Sequence, residues 1–435
     1  MQIAPTARLL TSITFSLLLM AACAPLADTP AQTEAPTVAV TPTQLDRLTP
    51  IPTTEATPVE DQTLTLWLPD KLVPASSGGD VDLLNEQIAA FSASRDSLNV
   101  EARRRQVGEL GGIMPTLQSA QGVAPGALPD LTLMRRASLQ TAVELDLVRP
   151  LDSIVAEPEL SDFFPAALEL GRVGDTLYGL PYALEVQHMI VTTDANRPTD
   201  ATFETYLDVG GAYLLPAAGT NTLSNTILLQ YLAAGGSVSS ERVLQMDEDA
   251  LLAVLSFYEQ AMQQGILPPE VLDYDDTDDY QSPLRQGDFS SALVTSQQYL
   301  ELLEEGIRYP FAPLPTNDGG LITTLDGWMW VVPTEDADGQ SRAADFLGWI
   351  MEPGRQGEYV RSLNLIPSQR TELDANYEPD YAAFLEDLLP SARLPLTEVA
   401  VSAPARAIQG ALVAVVSGEQ TAEEATADVM QQIED

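Results

Sequence analysis

The sequence predicts an α/β fold with parallel sheet, and three observations carry that reading. Short β-type runs alternate with stretches of helical period from residue 63 onward. The composition, 45% hydrophobic and 19% charged, is that of a globular chain. The segment 63–435 is long enough for two domains.

The elements follow in order along the chain. Thr63-Leu64-Thr65-Leu66-Trp67-Leu68 alternates and reads as a first strand. Asp80-Val81-Asp82 can cap a helix whose apolar face is Leu84, Ile88 and Phe91. Asn99 to Val107 reads as a second strand, with Arg103-Arg104-Arg105 as a solvated edge. A helix is expected over Ile113–Ala120, a short strand over Leu131–Met134 and a helix from Ser138 to Leu145. The middle, 224–265, is helical with a break at Gly235-Gly236. At the end, Thr421 and Glu424 form a capping box ahead of an apolar face of Ala425, Val429 and Ile433. No internal repeat is evident.

The N-terminus stands apart from the fold. Its first residues carry one positive charge, at Arg8, and LLTSITFSLLLM is too short an apolar run to span a bilayer comfortably. Residues 1–22 therefore read as an export signal. The stretch LLLMAAC resembles a bacterial lipobox, in which Cys23 becomes the lipidated first residue, although Met20 stands where leucine is usual. Cys23 is the chain's only cysteine, so it cannot form an internal disulfide. Residues 23–62 then form a Thr/Pro/Ala-rich disordered tether with a reach of roughly 35 Å. The expected layout is anchor, spacer and body on the outer side of a bacterial membrane, with the lipid as the sole membrane contact.

Charge and composition exclude several functions. A net charge of −42 repels nucleic acid and anionic headgroups, and reads as a solvated surface. One histidine and one cysteine cannot build a Cys/His zinc site, and a Ser-His-Asp triad would have to run through His188. No glycine-rich phosphate loop is present, so neither metal nor cofactor is expected. Carboxylate-pair catalysis stays open. DYDDTDDY, 273–280, lacks the glycine and glutamate that an EF-hand loop needs at its sixth and twelfth positions, and reads as a solvated loop.

Several stretches, in order, resemble the family 1 extracellular solute-binding proteins of ABC importers, the family that includes maltose-binding protein. They are LPDLTLMRRASLQTAVELDLVRPLD (128–152), GDTLYGLPYALEVQHMIVTTD (174–194), RQGDFSSALVTSQQY (285–299), FAPLPTNDGGLITTLDGWMWVVP (311–333), AADFLGWIMEPGRQGEYVRSLNLIPSQR (343–370) and SGEQTAEEATADVMQQI (417–433). The match covers nearly all of 63–435. It implies a two-lobed, type II periplasmic-binding-protein-like fold with a hinge and an interlobe cleft. The implied lobes are 63–184, then 185–322, a return to the first lobe over 323–372, and second-lobe helices over 373–435.

The resemblance also implies a function. A small solute, most readily a carbohydrate, is bound without reaction, the lobes close on it, and a membrane permease receives it from a monomeric carrier. The alternative is a tethered extracellular carbohydrate-active enzyme using carboxylates. Pro181 would end a lobe, and Tyr182 to His188 would form a hinge strand. Glu185 aligns with a ligand-side glutamate of the family, or else makes an inter-lobe ion pair; His188 touches ligand or is satisfied within the hinge. Trp67, Met134, Arg135, Arg136, Tyr182, Asn221, Asn225, Tyr299 and Trp328 complete the implied lining. Trp349 is expected in the core. Met134 replaces an aromatic of the family, and the arginines leave room for an anionic sugar or a non-sugar ligand.

Overall fold

The computed structural model describes residues 62–72, 83–95, 97–108, 111–155, 160–218 and 222–434. The expected signal peptide, Cys23, the tether up to residue 61, the capping residues Asp80–Asp82 and Asn221 lie outside them.

The first lobe is built on five strands. Their spatial order is Leu98–Arg105, Gln62–Pro69, Leu131–Arg135, Thr323–Val331 and Gly179–Val191. The first three run parallel, joined through the helices Leu83–Ala93 and Ile113–Gln121; Thr323–Val331 is antiparallel to both of its neighbours. Parallel strands need crossover helices, which cover both faces of the sheet. The strand Gln62–Pro69 illustrates this. Leu64, Leu66 and Leu68 pack on one side with Ile88 and Phe91, and Trp67 packs on the other with Ile113 and Met134. The arginine triplet lies at the sheet edge as expected, but Arg105 turns back and stacks its guanidinium 3.9 Å from the centre of the Trp67 ring.

The second lobe continues the sheet. Ser291–Thr295 pairs antiparallel with Gly179–Val191 and parallel with Tyr213–Leu214. The helices Asn225–Ala233, Glu248–Gln263, Ala403–Val416 and Ala422–Glu434 enclose a core around Ile227, Tyr231, Leu251, Tyr258 and Leu412. The Gly235-Gly236 break leads into a small hairpin, Ser237–Val238 with Leu244–Gln245. The capping box forms in full: Glu424 N–H donates to Thr421 Oγ1 at 3.2 Å, and Thr421 N–H to Glu424 Oε2 at 3.1 Å. Ala425 and Val429 are buried below it, whereas Ile433 is exposed where a core position was expected.

Two strands join the lobes. Gly179–Val191 changes partner between Val186, paired with Leu325, and Gln187, paired with Thr295. Thr323 clamps this point. Its Oγ1 donates to Gln187 O at 2.6 Å and accepts from Gln187 N–H at 3.1 Å. A third passage, Ala392–Arg393, pairs with Thr323–Thr324. Gly327 is required between the two long strands, because a Cβ there would stand 2.3 Å from Ala183 O. The lobe boundary expected at 373 falls inside the helix Arg370–Asn376. That helix stays with the first lobe, because Glu372 accepts hydrogen bonds from Gly354 N–H at 2.6 Å and Gly357 N–H at 3.1 Å.

Candidate functional site: the interlobe cleft

A cleft of about 1050 Å³ opens where the lobes meet. Lys71, Arg135, Trp328 and Asn364 line it from the first lobe; Glu185 and Gln187 lie at the hinge. The second lobe contributes Ser224, Asn225, Thr226, Thr295, Gln297, Gln298, Glu301 and the loop Asp275–Asp278.

Arg135 organises the first-lobe wall. It ends the strand Leu131–Arg135 and pairs in register with Trp328. Its guanidinium meets Glu185 Oε1 at 3.5 Å and Asp326 Oδ2 at 3.2 Å, and lies 5.5 Å over the Trp328 ring. Glu185 and Asp326 are cross-strand partners, so the backbone sets two carboxylates side by side. Like charges so placed repel, and the single guanidinium between them offsets that repulsion. Burial still dominates at Glu185 and pushes its carboxyl above the usual range; Arg135 opposes the shift and Asp326 adds to it.

The second-lobe wall is polar and ordered. Gln187 Oε1 accepts from Thr324 Oγ1 at 3.1 Å and from Thr226 Oγ1 at 3.5 Å. The helix Ser296–Glu304 begins at the cleft with a complete capping box, Thr295 with Gln298. The acidic loop is solvated as expected, with Asp275, Asp276, Asp278 and Asp279 exposed, and it also borders the cleft. Asp279 Oδ2 accepts from the N–H groups of Asp275, at 2.7 Å, and Asp276, at 3.2 Å. Asp278 Oδ1 accepts from Gln298 Nε2 at 2.8 Å. Repeated Asp and Thr residues favour such self-bonded turns, the one signal in the sequence that pointed to an ordered loop.

Of the residues expected to line the cleft, Arg135, Glu185, Asn225 and Trp328 come together there. Trp328 is the one aromatic among the lining residues and is 6% exposed. The others lie elsewhere. Trp67, Met134, Tyr182 and Tyr299 are packed in the core. Tyr182 meets Trp330 edge to face, at 5.5 Å. Tyr299 packs 4.6 Å from Tyr381 and 5.2 Å from His188. Arg136 points inward and donates to the carbonyls of Leu170 and Arg172. His188 is a satisfied core residue. Its Nδ1 lies 3.0 Å from Met189 O and its Nε2 3.0 Å from Tyr381 Oη. Since a carbonyl only accepts, the proton sits on Nδ1 and the tyrosine donates to Nε2. Burial pushes the His188 pKa down to about 4. Sequence reasoning missed Gln187, Thr226, Gln298, Glu301 and Asn364, which belong to no aromatic or motif signal. Among the described residues no group of three or more His, Cys, Asp or Glu side chains is placed to hold a metal.

A polar cleft at a two-strand hinge is where a two-lobed binding protein holds its solute. The sequence pattern that defines bacterial extracellular solute-binding proteins matches residues 86–383. The chain belongs to this family. Members bind solutes outside the cytoplasm. No curated protein sequence matches it. Among solved structures, it is similar to an extracellular solute-binding protein family 1 member from Alicyclobacillus acidocaldarius, with 18% identity, a TM-score of 0.64, and 86% of this chain and 98% of that one covered. It is likewise similar to the cyclic α-maltosyl-1,6-maltose binding protein of Arthrobacter globiformis, at 17% identity, TM-score 0.63 and coverage of 85% and 97%. The GacH receptor of Streptomyces glaucescens, solved unliganded and with acarbose, gives 15% identity, TM-score 0.61 and coverage of 86% and 97%. These likenesses establish the two-lobed fold.

Proposed function

We infer that this solute-binding protein serves an ABC importer, binds a carbohydrate between its lobes and hands it unchanged to a membrane permease. It works as a monomer held to the outer face of the membrane through a lipid on Cys23, with 23–62 as the spacer. The lobes run over 63–184 with 323–376, and 185–322 with the C-terminal helices.

The observation that carries the carbohydrate reading is the composition of the cleft. Trp328 offers an apolar face, and Arg135, Glu185, Asn225 and Gln187 converge beside it. Sugars need this pairing, because C–H faces pack on aromatic rings while hydroxyls bond carboxylates, amides and guanidinium. Similar structures solved with maltose, from Listeria monocytogenes, and with acarbose, from Streptomyces glaucescens, support the same reading. A thermal-shift screen against sugars and small metabolites tests it. At a hundredfold excess over its Kd, a true ligand should stabilise the protein by about 2.7 kcal/mol. Recovery of a cleaved sugar would make the protein an enzyme, and stabilisation by none of the sugars would remove the carbohydrate reading. A Cys23→Ser variant should leave the membrane fraction.

A further inference from the structure

The cleft is acidic, in keeping with the chain's net charge of −42, which left a cationic ligand open beside the solvated-surface reading. Of its lining residues, five are carboxylates, Glu185, Asp275, Asp276, Asp278 and Glu301, against two cations, Arg135 and Lys71. Arg135 is already engaged by Glu185 and Asp326, and Arg136 is turned away into carbonyl contacts. The charge of Arg135 is thus already offset by two carboxylates, and Arg136 does not reach the cleft.

The carboxylates influence one another. Asp278 stands within electrostatic reach of both Glu185 and Glu301, and raises the proton affinity of each. For both glutamates burial is the largest cause of the rise. Glu301 finds its hydrogen-bond donor in the neutral amide of Gln297, at 3.3 Å. A neutral sugar closing over these groups would remove more water without supplying charge. A ligand ammonium would supply it, and its charge-assisted hydrogen bonds are stronger than those of a hydroxyl.

We propose that the ligand is an amino sugar, an oligosaccharide carrying at least one protonated amine, whose ammonium group sits among Glu185, Asp278 and Glu301 while a sugar ring rests on Trp328. The inference rests on the carbohydrate reading and narrows it. The cleft itself marks the site; the acids set which member of the sugar class it takes.

Calorimetric titration of the purified mature protein tests it with glucosamine oligomers of two to four residues, their N-acetylated forms, and cello- and malto-oligosaccharides of the same lengths. The expected result is binding of a glucosamine oligomer at least tenfold tighter than any neutral sugar of equal length. N-acetylation should abolish that advantage, and it should shrink as salt is raised from 50 to 500 mM, because Asp275, Asp276 and Asp278 are solvent-exposed. The double variant Asp278→Asn, Glu301→Gln should bind charged and neutral oligomers about equally. Neutral sugars binding as tightly as aminated ones, or an advantage insensitive to salt, would overturn the inference and leave the carbohydrate reading standing. Binding of spermidine with no sugar binding, or no binding at all, would overturn both.

Discussion

At the residue scale, position and not burial separates the two aromatics that the sequence placed together on the cleft, for Trp328 and Tyr299 are 6% and 5% exposed. Trp328 lines the cleft, and Tyr299 belongs to the aromatic cluster under the hinge. Trp328→Ala should therefore weaken sugar binding about tenfold or more, since an aromatic contact contributes roughly 0.5–1.5 kcal/mol beyond its area and each 1.4 kcal/mol is tenfold. Tyr299→Ala should instead lower stability by about 3–5 kcal/mol, as a large core truncation does. Calorimetry on one variant and denaturant unfolding on the other distinguish the roles; the reverse pattern would move the cleft. His188 makes a pH prediction. Its folded pKa, about 4, lies below the ordinary histidine value of 6.5. Above pH 6.5 both states are neutral and the group has no effect. Below it the unfolded chain takes up the proton first, so stability falls between pH 6.5 and 4, by about 3 kcal/mol in total. Tyr299, Tyr381 and Phe384, which face the ring, carry no charge at these pH values. A His188→Asn variant lacks this loss, so its stability relative to the parent should improve by about that amount from pH 7 to pH 4. Parallel curves would show that the ring is not buried neutral.

At the element scale, much of the fold was legible, and the reason is periodicity. The strand Gln62–Pro69, the helix face Leu84, Ile88 and Phe91, and the capping box at Thr421 each follow from local pattern. What was not legible is which face of a doubly covered strand meets the cleft. Tyr182, His188 and Met134 lie on strands covered on both sides, where alternation assigns no solvent face. Arg135 and Glu185 were reached through the family resemblance, and the structure sets them at the end of one strand and beside the hinge. Gln187 and Thr323 went unseen because their role is a contact between distant segments. Thr323→Val tests that contact. Valine keeps the shape and leaves Gln187 N–H, which Thr323 Oγ1 accepts at 3.1 Å, without this acceptor. An unsatisfied buried donor costs about 1–3 kcal/mol, so the urea midpoint should fall accordingly. An unchanged midpoint would mean that the clamp contributes nothing to the fold.

At the scale of the whole molecule, ligand binding is a change in the balance between open and closed lobes. Asn364 follows the first-lobe helix Arg355–Ser362, and Glu304 ends the second-lobe helix Ser296–Glu304. Asn364 Nδ2 donates to Glu304 Oε2 at 2.9 Å, so the contact exists only when the lobes are near. Asn364 also lines the cleft and holds a left-handed backbone, φ 58°. Asparagine and glycine both tolerate that conformation, so Asn364→Gly removes the bridge and keeps the turn. Glu304 is exposed, so the bridge contributes about 0.5–1 kcal/mol to the closed form. A loss of that size lowers the closed population, and with it the apparent affinity, about two- to fivefold. Small-angle scattering of the ligand-free variant should show a larger radius of gyration than the parent. Saturating ligand should bring the two to the same compact value, because the ligand supplies the remaining interlobe contacts. If both proteins scatter alike without ligand and bind it equally, closure does not pass through this bridge, and the carboxylates and Trp328 alone set the balance.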